Sequence, residues 1–424
     1  MQHPAQIQAA IELLEQYNDM PIPVDKLMAS FFKSRRYIGA KDKGVIADTI
    51  YTVFRRFAEI MEILSHEKHP QTPRAMVITS LMIEGENVAE IFAGTGYGPA
   101  PLDQKEQRLL GANLQSIRSK MPVHSRLNVP EWSIEKLKDM FGEHWKEEAL
   151  ALHGRAPTDI RANVMKTNRK DLLSALKRQE FNFENTSLSP TCLRMKSRKS
   201  LFGTEEFKKG FFEIQDEGSQ LIAHACGASR GQKVVDFCAG AGGKTLALAA
   251  AMGGKGTLYA CDIHERRLGE MPKRLKRAGV ADTVRTVLLT SETDKWVKRH
   301  KDQMDVVLID APCSGSGTWR RSPDSVWKLT EESLENLTKT QASILESACR
   351  LVKDGGTFVY ATCSVFKEEN HAQIEAFLAK HPEFELTEPF GEGHLLAGQK
   401  MIQLSPHNTG TDGFFMAKMI KKGA

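Results

Sequence analysis

The sequence is poor in the features that would staple, anchor or export a protein. Its seven cysteines are odd in number and none forms a CxxC pair, which argues against a disulfide framework and against a zinc site. No apolar stretch approaches the roughly 18 residues that a bilayer span needs. Residues 1–14 are mixed and amphipathic, without the basic start and apolar block of a secretory signal. Charge of one sign is also missing: 58 basic against 53 acidic residues leave a net charge of +5. That balance is compatible with nucleic acid but does not demonstrate it. The expectation is a reduced, cytoplasmic, globular monomer with no metal and no membrane partner. At 424 residues it has room for two or three domains.

Residues 1–120 hold 14 basic and 14 acidic side chains and read as helical. Ala10, Leu13, Leu14 and Tyr17 recur at helical spacing. So do Val45, Ile46, Thr49, Ile50, Val53, Phe54 and Phe57, in a segment running to Leu64. Residues 75–83 predict another short helix, and the glycine-rich 93–101 predicts a loop. Residues 121–230 predict a small α+β module. It has a helical face of Ile134, Leu137, Met140 and Phe141, strand-like pieces over 159–165, 192–195 and 211–214, and a helix around 172–177. The basic run Arg194, Lys196, Arg198 and Lys199 lies here, either a solvated face or a set of phosphate contacts.

From residue 231 to 424 the rhythm is strand, loop, helix. Apolar runs at 234–237, 257–261, 284–289, 305–310 and 357–361 alternate with amphipathic helices. One of these helices aligns Leu334, Leu337, Gln341, Ile344, Leu345, Ala348 and Leu351. The pattern predicts an α/β fold with a parallel, doubly wound sheet, which binds ligands beyond the carboxyl ends of its strands.

Three marked loops begin at those ends. The first, residues 236–245, reads DFCAGAGGKT. It fails the P-loop spacing, because the residue five before Gly243 is Cys238. It fails GxGxxG, because the residue three after Gly242 is Thr245. A glycine turn lacking both phosphate patterns suits S-adenosylmethionine, which carries adenosine without phosphates; a turn needed only for packing is the other reading. Asp262 ends the next strand, where a carboxylate can bind a ribose hydroxyl pair. The second loop, 310–318, reads DAPCSGSGT. The third, 361–365, reads ATCSV and is followed by Glu368, Glu369 and Asn370.

A lone thiol past a strand end is ordinarily inert and buried. Two of them, Cys313 and Cys363, at equivalent ends of neighbouring strands beside a cofactor loop, are expected to face one crevice. Such a pair suits methylation of cytosine carbon 5. That carbon is a poor nucleophile until a thiolate adds to carbon 6 and makes the ring an enamine. Asp310 supplies a carboxylate for the base, and Lys244 and a helix N-terminus after Cys363 are placed to lower a thiol pKa. Spacing alone does not choose between the two cysteines.

The three loops, in this order, closely resemble the CAxPGGKT-like, DAPCSGSG and ATCS…EEN loops of the RNA cytosine-5 methyltransferase family. The likeness runs from about Phe212 to Lys418 and includes EIQDEGSQ at 213–220 and DGFF at 412–415. It implies a Rossmann-like methyltransferase domain over 231–424 with S-adenosylmethionine as cofactor and RNA as partner. It also implies that Cys363 is the nucleophile and that Cys313 assists release of the product. It assigns cofactor contacts to Cys238, Ala239, Gly240, Ala241, Gly242, Gly243, Lys244 and Asp262, and makes Asp310 a base-contacting or cofactor-side acid. DNA cytosine-5 methyltransferases instead place the nucleophile in the Pro-Cys loop, here Cys313. Two departures stand out: Ala241 replaces the usual proline, and 290–292 (TSE) lies where an acidic residue commonly contacts the adenine side.

Residues 41–45 to 54–56 are similar to a helix of the NusB-like domain on bacterial 16S rRNA m5C methyltransferases. Arg161 to Val164 resembles the LRVN position of their N-terminal extension. These likenesses imply a degenerate, all-helical NusB-like RNA-binding domain over 1–120, an α+β RNA-binding extension over 121–230, and ribosomal RNA as substrate. Arg320, Arg321 and Lys328 would add phosphate contacts. The competing readings are an RNA-binding assembly or antitermination factor with a non-catalytic methyltransferase-like domain, and an NAD-binding oxidoreductase.

Overall fold

The structure, a computed structural model, describes residues 1–18, 22–197 and 199–423. The chain divides into two compact units, Met1–Gly154 with Trp319–Thr330, and Arg155–Thr318 with Glu331–Ala424. The helices Val123–Leu127, Ser133–Phe141 and Trp145–Ala151 group with the helical unit, and the α+β strands group with the large sheet.

The first unit is helical throughout. Ile46, Ile50, Val53 and Phe54 are buried along Ala40–Arg55, as their spacing predicts. The run to Leu64 is not one helix. It breaks at Arg56, and a second helix, Phe57–His66, starts where the Glu59 amide donates to Asn128 Oδ1 at 3.2 Å. The helix Pro73–Glu84 carries proline in its first turn, the Thr72 hydroxyl accepting from the Ala75 amide, and Gly85 in the left-handed conformation at its end. The inserted segment belongs to this unit through specific bonds. Asp324 accepts from Tyr17 Oη at 3.1 Å and from the Val24 amide at 3.2 Å, and Trp327 Nε1 donates to the Phe54 carbonyl at 2.9 Å.

The second unit opens with a four-stranded antiparallel sheet, β1 (Thr158–Ala162), β2 (Phe183–Asn185), β3 (Cys192–Met195) and β4 (Phe212–Ile214), in the order β2-β3-β1-β4. The helix Arg169–Lys177 buries Leu172 and Leu176 in a small core with Ile160, Leu193 and Phe212. A large sheet follows, built on β5 (Lys233–Asp236), β6 (Thr257–Asp262), β7 (Val284–Leu288), β8 (Met304–Asp310) and β9 (Val352–Thr362), all parallel. The sheet is mixed rather than purely parallel. β10 (Phe384–Thr387), β11 (Met401–Leu404) and β12 (Phe414–Lys421) make only antiparallel pairs, and the path runs β10-β12-β9-β8-β5-β6-β7 with β11 on β12.

Alternation along the central strands divides the core. Val234, Val306, Leu308, Val359 and Ala361 enter one cluster, while Val235, Val307, Ile309, Phe358 and Tyr360 enter the other. Both sheet faces are thus apolar, and the polar chemistry is left to the strand ends. Among the described residues, no helix is long and apolar enough to cross a membrane, and no group of three or more His, Cys, Asp or Glu is arranged to hold a metal ion.

Candidate active site

The order β9-β8-β5-β6 sets the carboxyl ends of four parallel strands side by side, and each ends in a marked loop. Asp310 on β8 is in register with Ala361 on β9, so the cysteine three residues beyond the first and the one two beyond the second meet. Cys313 Sγ and Cys363 Sγ lie 3.4 Å apart. The other cysteines sort by exposure. Cys192, Cys226, Cys261 and Cys349 are buried, whereas Cys238, Cys313 and Cys363, the three in marked loops, are partly exposed. The hydrogen bond to Cys363, burial, and the charges of Cys363 and Glu369 push the Cys313 thiol well above its ordinary value, so Cys313 resists ionisation.

Lys244, from the glycine loop, donates to Asp310 Oδ2 at 2.6 Å. Burial works against its charge, but Asp310 outweighs that cost and holds the ammonium above its usual value. Lys244 therefore stays protonated, and it is close enough to Cys363 for a thiolate there to raise it further.

Gly240 and Gly242 of that loop have φ of 55° and 86°. A Cβ on Gly242 would stand 2.8 Å from Met271 Cγ, so this glycine answers to both conformation and space. Gly242 caps the helix Gly243–Ala251 and leaves its first amides at the strand ends. Asp262 Oδ2 accepts from the Gly240 amide and Oδ1 from the His264 amide, both at 2.8 Å. Asp236, beneath the loop, accepts from the Thr245 hydroxyl at 2.7 Å through Oδ2, while its buried Oδ1 has no hydrogen-bond partner. Burial and the nearby carboxylates push its acid up to about 7.

Two arginines hold the loop from behind, and their pairing was not legible in the spacing. Arg161 on β1 donates to the Gly243 carbonyl at 2.9 Å and also to Gln215. Arg274 donates to the Ala241 carbonyl at 2.6 Å and to Glu213 at 3.0 Å, and Glu213 accepts from Arg277 as well. This arginine bond falls on the carbonyl of Ala241, the position at which the resembled family has a proline.

A family model described as "16S rRNA methyltransferase RsmB/F" matches residues 225–420, and one for the RsmF/B-like ferredoxin-like domain matches residues 129–201. A Synechocystis protein named "Probable ribosomal RNA small subunit methyltransferase B" is 32% identical over 72% of this chain and 69% of its own length. The chain belongs to the RsmB/F family of 16S rRNA methyltransferases. The "Ribosomal RNA small subunit methyltransferase B" of Yersinia pseudotuberculosis is 34% identical over 69% of this chain and 66% of that one. The chain thus spans about two thirds of the length of such curated relatives. A solved methyltransferase homolog protein from Pyrococcus horikoshii, 28% identical, superposes with a TM-score of 0.61 over 72% of this chain and 99% of that one. Membership in this family makes the oxidoreductase reading untenable.

The structure brings together Lys244, Asp310, Cys313 and Cys363, with Gly240, Gly242, Gly243 and Asp262 on the adjoining strand ends. The basic run fares differently. Arg194 is committed to Asp159 through two bonds of 2.8 Å, Lys196 pairs with Glu184 at 2.6 Å, and Arg198 lies outside the described residues. Arg320 is buried, and the Lys328 ammonium donates to the Ile22 carbonyl at 2.8 Å and lies 3.3 Å from Asp324, so neither is a free phosphate contact. Around 290–292, Glu292 accepts from Ser343 at 2.7 Å. Asp294 accepts the Trp296 amide and the Thr290 amide and hydroxyl, bonds that hold its acid down at about 2. Both acids are turned to protein donors. Sequence reading also passed over a buried network of Glu369, Ser314, Ser316, Ser364 and Gln341 that joins the two cysteine loops.

Proposed function

We propose that the protein methylates carbon 5 of a cytosine in 16S ribosomal RNA, with Cys363 as the covalent nucleophile and Cys313 serving release. The 3.4 Å approach of the two sulfurs, beside the Lys244–Asp310 pair, is the observation that carries this reading.

S-adenosylmethionine fits the residues present. The glycine turn lacks both phosphate spacings, Asp262 keeps lone pairs free for a ribose hydroxyl pair, and the unpartnered Oδ1 of Asp236 lies under the loop. Residues 238–244 with Asp262 would hold it, and Asp310 would bound the site on the cysteine side. When bound, the cofactor supplies a sulfonium methyl group for attack.

The protein's own groups do the rest. An unstacked cytosine enters the crevice, as flipped bases do in enzymes that act on them. Cys363, as thiolate with the Cys313 S–H and the Lys244 ammonium near it, adds to carbon 6, and the electrons of the 5,6 double bond become available at carbon 5. Asp310 meets the N3/N4 edge of the base. After carbon 5 takes the methyl, its proton leaves to a base, the 5,6 double bond re-forms, and the carbon 6–sulfur bond breaks to return the Cys363 thiolate. Cys313, 3.4 Å from that sulfur, is the group placed to assist this second half. The helical unit and the ferredoxin-like module are assigned to RNA binding, with the fold family as support.

Incubating 16S rRNA with methyl-labelled cofactor and digesting it to nucleosides tests the reading. Label in 5-methylcytidine is expected; label on any other nucleoside, or none, overturns it.

A further inference from the structure

We propose that Glu369 is the positioning residue of this site, tying the residue after Cys313 to the residue after Cys363 and thereby setting the two sulfurs against the base. The inference rests on the cysteine chemistry above and adds a residue to it.

Glu369 ends a short turn, Lys367–Glu369, that follows β9, and its side chain is fully buried. One oxygen accepts from the Ser314 amide at 2.8 Å and from Gln341 Nε2 at 2.9 Å. The other accepts from Ser314 Oγ at 2.5 Å and from Ser364 Oγ. Ser314 and Ser364 each directly follow a cysteine. Gln341 Nε2 also donates to the Pro312 carbonyl at 2.9 Å, so Cys313 is bracketed on both sides. The Cys363 carbonyl in turn accepts from the Gly317 amide at 3.0 Å, and Ser316 Oγ lies 3.0 Å from Ser364 Oγ.

All four donors to Glu369 are neutral. A buried carboxylate without a cation is costly to fold, and well-packed apolar residues hold a core more cheaply. The placement answers a geometric need instead, since it converges on both sulfur-bearing loops and on nothing else that reacts. Its charge has a second effect. The groups facing Cys313 are Cys363 and Glu369 from the turn after β9 and Tyr360 from β9, with uncharged Gln341 on the packed helix. Glu369 opposes ionisation of Cys313 and helps keep the proton on that sulfur.

Steady-state kinetics of Glu369→Gln, Glu369→Asp and Ser364→Ala test this, with cofactor binding and RNA carrying 5-fluorocytosine as controls. Glu369→Gln presents an amide to donors. It should lower kcat about 100-fold, the scale of a misplacement of about 1 Å, with KM for RNA within about twofold of wild type. The alkaline limb of its kcat profile should move to lower pH, because the anion no longer opposes Cys313. Glu369→Asp should recover part of the rate and keep the wild-type limb. Ser364→Ala keeps the anion and loses one tie, so it should slow kcat without moving the limb; it and the Asp variant decide the matter if the Gln variant does not fold. A fall in thermal stability alone, with kcat per folded molecule and pH limb as in wild type, overturns the inference. Carbon 5 cannot shed fluorine as it sheds a proton, so fluorinated RNA traps the adduct. Failure of the wild type to form that adduct would instead overturn the cysteine chemistry itself.

Discussion

At the scale of the residue, the two sulfurs are not equivalent. Cys313 is held as a thiol by its bond to Cys363, by burial and by nearby charge. Removing it should leave addition intact and impair release. Cys313→Ala is therefore expected to accumulate a protein–RNA adduct that survives denaturing electrophoresis, and Cys363→Ala to form none; the adduct in the Cys363 variant instead would exchange the roles. Asp236 gives a prediction about stability. Its folded pKa, about 7, lies above the ordinary carboxylate value of 3.8, so the folded state holds this proton more tightly than the unfolded one. Between about pH 4 and pH 7 the unfolded chain ionises first, and this group's contribution falls as pH rises, by a few kcal/mol across the window. Asp236→Asn should remove that slope in urea melts; an unchanged slope would show that the carboxylate is already charged in the fold. Cys313, Cys363, Lys244 and Asp310 were legible in the sequence because each lies at a fixed offset from an apolar run. Glu369 was visible only as one acid after the third loop, since nothing in spacing reports that four donors converge on it.

At the scale of the element, the strand-loop-helix rhythm foretold β5 to β9 because alternating apolar runs are what a sheet covered on both faces requires. The antiparallel edge was not foretold, since the pattern predicts a parallel sheet. DGFF at 412–415 pointed to β12, but β10 and β11 are short, with mixed burial, and give no comparable signal. Pairing of charges was likewise hidden: Arg194 reads as part of a basic surface until β1 brings Asp159 opposite it. Close approach between elements is testable by glycine substitution. A Cβ on Gly317 would run into the Gly413 carbonyl, where the Cys313 loop crosses the start of the last strand. Gly317→Ala should lower unfolding free energy by about 3 kcal/mol, the upper range of overpacking costs. Gly391→Ala, with nothing near its Cβ, should be neutral in the same denaturant titration. Arg274 belongs here too. Losing its bond to the Ala241 carbonyl should weaken S-adenosylhomocysteine binding about tenfold by calorimetry, the loss expected of one charge-assisted hydrogen bond; unaltered affinity would show that the loop holds its shape alone.

At the scale of the whole molecule, periodicity separated helical from α/β sequence but could not reveal that Trp319–Thr330 belongs with the first unit. The cause is physical, since a local pattern carries no record of which core a loop joins. Val326 is fully buried there, and the Trp327 ring lies tilted against Phe57 with ring centroids 5.0 Å apart. A fragment of residues 155–424 should consequently expose this segment and bind a hydrophobic dye, and exchanging Val326 and Trp327 for serine in that fragment should reduce the binding. Family membership supplies the class of reaction, and the strand-end geometry supplies the residues proposed to perform it. The most direct test is single-turnover methyl transfer to 16S rRNA by Cys363→Ala, with cofactor binding checked separately. The variant should bind cofactor as wild type does and transfer no methyl to cytosine; transfer at the wild-type rate would contradict the assignment of Cys363 as nucleophile.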